Sequence, residues 1–435
     1  MTSGRSLVTA GRWRVEPSTV AGSTAVPGDK SIAHRALFVS ALAEGVSRLR
    51  GLPGSADVAA TRACLERLGV VITGGTDETT VHAGSWSVPA ANLDAANSGT
   101  TMRLLAGLLA AQPFASVIDG DGSLRRRPME RVAHPLRLMG ALVETNHGHP
   151  PLRIRGGALR GIRYTMPVAS AQVKSALLLA GLFAEGETTV VEPLPTRDHT
   201  ERLLRHAGVA VASDWSGTTV IGRGRPAPLD LGIPGDPSSA AFPLVAAALC
   251  DSAVTVRQVA VNPGRIGLLE VLDEMGCQVT LERRPDRGGE PVADVRVAGR
   301  PRRAAQVSAE RVPSLIDELP LVALLGTAST GTTVVRGAAE LRHKESDRIA
   351  AVVGQLRRMG AHIEEFDDGF AVRGGERLRG ATVDAGGDHR LAMLLAVAGV
   401  AASGVTTVDG AAAAAVSFPT FAGMLRGLGA VVHDV

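Results

Sequence analysis

The sequence predicts an α/β protein of two domains turned inside out, with apolar helices at the core and sheets on the outside. Three observations carry that expectation. A unit of polar knot, apolar helix-like run, small-residue turn and β-branched strand recurs six times, at intervals of roughly 70 residues and about 80 in one case. The runs that follow the knots are apolar nearly all round, the pattern of a helix buried on every side. At 435 residues the chain is too long for one ordinary core, and six units divide naturally into two similar globules of three.

The knots are Asp29-Lys30-Ser31, Asn97-Ser98-Gly99-Thr100, Ser170-Ala171-Gln172, Asp236-Pro237-Ser238-Ser239, Asp317-Glu318 and Asp388-His389-Arg390. Each stands where a helix should begin, because Asp, Asn and Ser side chains accept from the first unpaired backbone N–H groups. The runs behind them include Ala176–Gly181, Leu321–Gly326 and Leu391–Ala402. Thr188–Val191, Thr332–Val335 and Thr406–Val408 then read as strands. A second, more polar helix closes each unit at Gly69, Gly140, Gly208, Gly276, Gly360 or Gly429, where glycine suits the left-handed turn after a helix.

Composition narrows the function. The formal charge is +3 and no concentrated basic stripe is present, which argues against a nucleic-acid binder. A ring closing around DNA would need cations along its helices, and here they gather at helix starts and in loops. Three cysteines, Cys64, Cys250 and Cys277, suit a reduced cytoplasm. The longest apolar stretch is far short of the roughly 20 residues that span a bilayer. Met1–Glu16 has no apolar signal-peptide core and reads as a loose tail of up to about 20 residues. No Cys or His grouping has metal-ligand spacing, and no Gly-rich loop fits a P-loop or dinucleotide fingerprint. Cofactor-free, metal-free chemistry is expected.

Helix starts carry a partial positive charge and unpaired donors, so six of them facing one cleft would grip phosphates and carboxylates. Lys30 and Ser31 head the first helix, with Arg35 on the face of Ser31; an N-cap with surface cations explains them less fully. Asn97–Thr101 could be a plain capping turn, and Gly99 could admit close backbone approach. Arg127 precedes Pro128, which can aim its guanidinium. Ser170-Ala171-Gln172 offers neutral hydrogen-bonding groups, and Arg197 lies nearby. Asp236 reads mainly as a cap. Asp317 and Glu318 sit in an apolar frame that could raise a carboxyl pKa and make a base, although acids at a helix start are ordinary. Lys344-Glu345-Ser346-Asp347-Arg348 reads equally as a salt-bridged exposed turn. Arg390 follows two glycines and precedes an apolar run.

Taken in order, Pro27–Arg35, Asn97–Arg103, Arg127-Pro128-Met129, Ser170–Ala176, Arg197–Thr200, Lys344–Arg348 and Asp388-His389-Arg390 closely resemble the 5-enolpyruvylshikimate-3-phosphate synthase family, from about Val26 to Ala430. The resemblance implies two inside-out α/β barrel domains of three βαβαββ repeats each. Residues 1–28 with 236–435 would form one and 29–235 the other, with the active site in the cleft. It implies transfer of the enolpyruvyl group of phosphoenolpyruvate to the 5-hydroxyl of shikimate 3-phosphate, releasing phosphate, the sixth step of the pathway to chorismate and aromatic amino acids. Lys30, Ser31, Arg35, Ser170, Ala171, Gln172, Arg197, Asp317 and Lys344 would hold shikimate 3-phosphate. Lys30, Gly99, Arg127, Gln172, Arg348 and Arg390 would clamp phosphoenolpyruvate. Asp317, Glu345 and Lys30 would be the catalytic residues. A cytoplasmic monomer with these two small-molecule substrates, and no nucleic-acid or membrane partner, is expected.

Four departures stand out. Ala33 replaces a frequent Ser, and Ala96 replaces a usual Gly before Asn97. Glu340 and Val416 stand where one branch has Asn and Lys. Gly99 is kept where certain glyphosate-tolerant relatives carry Ala, so glyphosate sensitivity is implied. The sister enzyme acting on UDP-N-acetylglucosamine commonly carries a Cys in the stretch matching 120–127, and this chain has none. A carboxyvinyl transferase for another shikimate-like acid is the nearest alternative. A non-catalytic relic is disfavoured because Asp317, Glu345 and the arginines are all kept.

Overall fold

In a computed structural model, residues 11–435 are described, and they divide into two compact units. The first holds 11–27, 235–285 and 291–435, and the second holds 28–234 with 286–290. The short stretch 286–290 was expected in the first. It joins the second because Glu290 takes up the ring of His199 (Nδ1 to Oε1, 2.7 Å) and Arg202 donates to the Gly289 carbonyl at 3.1 Å.

Each unit carries three four-stranded sheets, and all six share one plan. An edge strand pairs in parallel with a second, which pairs antiparallel with a third, and a fourth lies beyond. Leu93–Asp94 runs parallel to Ala115–Asp119, for example, which faces His149–Arg155 and then Leu142–Asn146. Burial alternates along strands such as Val46–Arg50, so each sheet turns one face inward and the other to solvent.

The helices after the knots fill the interior. In the second unit they are Lys30–Leu42, Gly99–Leu109 and Ala171–Gly181; in the first, Pro237–Leu249, Leu319–Ala328 and His389–Ala401. Nearly every residue beyond their first turn is buried, Ala, Leu and Val dominating. Small residues let their backbones approach: a Cβ at Gly107 would fall 2.2 Å from the Ala176 carbonyl oxygen. The inside-out layering is therefore real. The second helices, such as Arg348–Arg358, are amphipathic, and all six closing glycines have φ between +79° and +110°.

Five of the six knots cap as their side chains predict. Asp29 accepts from Ile32 N (2.8 Å), Ser98 from Thr101 N (3.1 Å), Ser170 from Val173 N (3.4 Å), Asp236 from Ser238 N (2.7 Å) and Asp388 from Arg390 N (2.9 Å). Each such cap contributes about 1 kcal/mol. At the fifth, Glu318 occupies the cap position without a side-chain cap bond, which leaves its carboxylate for other partners.

The loose-tail expectation fails for part of the N-terminus. Arg12–Glu16 is an interior strand, paired antiparallel with Thr406–Asp409 on one side and Val431–Asp434 on the other. Trp13 and Val15 are buried in the core of the first unit, where Trp13 stacks on Phe421 at 5.7 Å. Residues 1–10 of that expectation lie outside the described residues. Three free cysteines are present, two of them buried, and no helix among the described residues is long and apolar enough to cross a membrane.

Candidate active site

In each unit the three buried helices begin at the same end, and side-chain bonds between the knots show it. Within the second unit, Gln172 donates through Nε2 to Thr100 Oγ1 (2.9 Å) and accepts at Oε1 from Arg103 (2.5 Å), joining the starts of Gly99–Leu109 and Ala171–Gly181. Lys30 reaches Asp57 at 2.6 Å, and Thr101 Oγ1 lies 3.3 Å from the Asp57 carbonyl. The predicted Lys30, Gly99 and Gln172 thus belong to one cluster. Arg127 joins it: its Nη2 donates to Asn97 Oδ1 at 2.7 Å, and a Cβ on Gly99 would sit 3.4 Å from its Nη1.

Arg35 is more deeply set than a surface cation. It is 2 % exposed and donates through Nε to Thr200 Oγ1, through Nη2 to Ser175 Oγ and through Nη1 to the Ser31 carbonyl, all within 2.9 Å. Burial pulls its guanidinium pKa down to about 10, against the neighbouring Glu201. It therefore braces the Ser31 turn as well as lending charge to it. Arg197 is half-buried and close enough for its charge to act on Arg35. Ala171 opens its helix, where a backbone N–H is unpaired. Below this layer, Lys174 is buried between Glu192 and Glu201, each at 2.7 Å.

Within the first unit a second cluster is built from acids and cations. Asp317 faces three of them: Lys344 Nζ at 3.4 Å, Arg348 Nη1 at 3.6 Å and Arg390 Nη2 at 3.9 Å. The exposed-turn reading of Lys344–Arg348 does not hold, because Arg348 is 3 % exposed. Its Nε and Nη2 edge is taken by Asp388 (2.8 Å) and Glu345 (2.6 Å), so only the Nη1 edge is left toward Asp317. Burial opposes that charge, but Asp388 and Glu345 outweigh it and hold the guanidinium firmly protonated. Asp388 is buried too, yet Arg348 keeps its carboxyl below the ordinary range. Desolvation draws the Lys344 ammonium below its usual pKa, and Asp317 only partly restores it. A less basic ammonium beside two carboxylates is suited to passing a proton.

The predicted residues accordingly fall into two sets, each brought together within its own unit. Lys30, Ser31, Arg35, Gly99, Arg127, Ser170, Ala171, Gln172 and Arg197 belong to one; Asp317, Lys344, Glu345, Arg348 and Arg390 belong to the other. Sequence reasoning missed Asp57, Asn97 and Arg103 as partners in the first set, and Ser238 and Arg265 in the second. Asp57 and Arg103 carry no local signal, since one is an ordinary acid in the first turn of Ala56–Arg67 and the other is one more arginine. Ser238 lay inside a knot read as a cap.

The sequence from 15 to 425 matches the family described as EPSP synthase (3-phosphoshikimate 1-carboxyvinyltransferase). The chain belongs to the EPSP synthase family. Similar relatives are the 3-phosphoshikimate 1-carboxyvinyltransferases of Xanthomonas oryzae pv. oryzae, 48% identical with 94% of each chain covered, and of Pelotomaculum thermopropionicum, 50% identical with 93% of this chain and 95% of that one covered. Among solved structures, EPSP synthase from Acinetobacter baumannii superposes with a TM-score of 0.87 at 41% identity, covering 98% of this chain and 100% of that one. The two-domain inside-out architecture is the family's own.

Proposed function

We propose that the chain transfers the enolpyruvyl group of phosphoenolpyruvate to the 5-hydroxyl of shikimate 3-phosphate and releases phosphate. The observation that carries this reading is the meeting of Lys344, Arg348 and Arg390 around Asp317. Three cations around one carboxylate fit a site that takes up an anion while keeping a base at hand.

In this reading Lys30, Ser31, Arg35, Ser170, Ala171, Gln172 and Arg197 bind shikimate 3-phosphate, joined by Asp317 and Lys344. Phosphoenolpyruvate is held by Lys30, Gly99, Arg127, Gln172, Arg348 and Arg390; its carboxylate and phosphate suit forked guanidinium donors. Asp317 accepts the proton of the 5-hydroxyl as its oxygen bonds to C2 of phosphoenolpyruvate. The Glu345–Lys344 pair delivers a proton to the methylene carbon, giving a tetrahedral adduct. Loss of phosphate from C2, which carries away the proton that Asp317 took up, together with return of a methyl proton to the Glu345–Lys344 pair, restores the double bond, leaves the enol ether and regenerates both acids' starting states. Lys30 supplies charge to the departing phosphate. We place this enzyme in the cytoplasm, where its free cysteines stay reduced, and infer a monomer.

The test is phosphate release from shikimate 3-phosphate and phosphoenolpyruvate together. Turnover is expected only with both. Release from phosphoenolpyruvate alone, or none with either, would rule the reading out.

A further inference from the structure

Glu318 takes no part in the reaction as described, yet it is almost wholly enclosed beside Arg390 in the first unit. It is 2 % exposed. Its Oε1 receives the hydroxyl of Ser238 and lies 3.9 Å from Arg265 Nη2 and 3.8 Å from Arg390 Nη1. Its Oε2 is buried and accepts no hydrogen bond from the protein. Ser238 is held in turn by Arg265, whose Nη2 donates to Oγ at 2.6 Å and stands 3.5 Å from Asp236. Asp236 caps the helix Pro237–Leu249, so the string Asp236–Arg265–Ser238–Glu318 is anchored in a rigid element.

The far end of that string is Arg390. Its Nη1 faces the Glu318 carboxylate and lies 3.4 Å from the Asp317 carbonyl, while its Nη2 faces the Asp317 carboxylate at 3.9 Å. Two acids adjacent in sequence thus grip different nitrogens of one guanidinium and fix its plane. A buried carboxylate without a full set of donors is costly to keep. Its retention here is explained if the charge orients something. We propose that Glu318 is a positioning residue, which with Ser238 and Arg265 sets the orientation in which Arg390 receives the anionic substrate. This rests on the proposed function above.

Two effects oppose each other when the charge is removed. Glu318→Gln takes a like charge away from an anion site, which alone would tighten phosphoenolpyruvate binding. It also releases one side of Arg390, which would loosen it. Positioning requires that the second wins. The expected result is a KM for phosphoenolpyruvate raised about tenfold, with the KM for shikimate 3-phosphate within twofold of the parent. Ser238→Ala should shift the same constant in the same direction by less. In an Arg390→Lys background the Glu318→Gln substitution should add almost nothing, because the group it acts through is already changed. An unchanged or lowered KM in Glu318→Gln, or full additivity with Arg390→Lys, would overturn the proposal while leaving the transferase reading intact. An inactive parent enzyme would sink both.

Discussion

Asp317 shows how a single side chain can be read from its neighbours. Its carboxylate is ringed by Lys344, Arg348 and Arg390, and in the proposed reaction it takes the proton of the substrate hydroxyl. Asp317→Ala is therefore expected to cut turnover by about a hundredfold or more, with binding of shikimate 3-phosphate, measured by calorimetry, reduced only slightly. Near-normal turnover would remove the residue from the reaction. Ala96 makes a different case. It holds φ at +49°, a left-handed conformation that costs an alanine about 1–2 kcal/mol. The sequence marks it as a departure from glycine but gives no hint of strain. Ala96→Gly should relieve the strain, less the extra freedom glycine gains on unfolding, and stabilise the fold by up to about 1 kcal/mol. A lower midpoint in urea would contradict this. The charged members of the site were visible because most of them sit in a polar knot or just before or at another helix start. Asp57, Arg103 and Arg265 were not, because their significance lies in what they touch and not in local pattern.

At the scale of elements, six polar knots locate six helix starts, and the structure adds how the helices are tied to each other. In the second unit the ring of His34 meets Thr61 Oγ1 at 2.7 Å, Thr61 meets Thr101 Oγ1 at 2.6 Å, and Thr101 donates to Ser98 Oγ at 2.7 Å. Three helices, Lys30–Leu42, Ala56–Arg67 and Gly99–Leu109, are joined by this buried chain. None of it can be read locally, since its links skip 27 and 40 residues. Burial lowers the His34 pKa from 6.5 to about 3, with Asp57 opposing and Lys30 and Arg35 assisting. Between those values the unfolded chain binds a proton that the folded chain refuses, so stability must fall as the pH falls through that window. The slope from this one group reaches about 1.4 kcal/mol per pH unit. Replacing it by His34→Asn should flatten the pH dependence of urea unfolding between 6.5 and 3 by that amount. An identical slope in both proteins would show that His34 titrates elsewhere.

For the whole molecule, the six-fold repeat is legible in sequence but its wiring is not. Four sheets take their parallel edge strand from just before their own buried helix. The other two exchange: Gly22–Thr24, which precedes Lys30–Leu42, pairs with Ala253–Ala260, and Asp230–Gly232, which precedes Pro237–Leu249, pairs with Val46–Arg50. Short β-branched strands look alike, so pattern alone cannot say which partner each will choose. The same ambiguity hid the N-terminal strand. Arg12–Glu16 completes the sixth sheet beside Val431–Asp434, and Val435 N donates to the Arg12 carbonyl at 2.9 Å. Both ends of the described chain thus meet on neighbouring strands, the arrangement in which circular permutation succeeds. Residues 1–10 are long enough to serve as the linker from Val435 to Gly11, and the hairpin tip at Trp215-Ser216, where Trp215 is 96% exposed, offers a place for new ends. A permutant beginning at Ser216 should fold with a melting temperature within a few degrees of the parent and keep its phosphate-releasing activity. Deletion of residues 1–16 should do the reverse, because it strips an interior strand that buries Trp13 and Val15 and leaves two neighbours unpaired. If the deletion melted like the full chain in circular dichroism, the strand would be an accessory and not part of the fold.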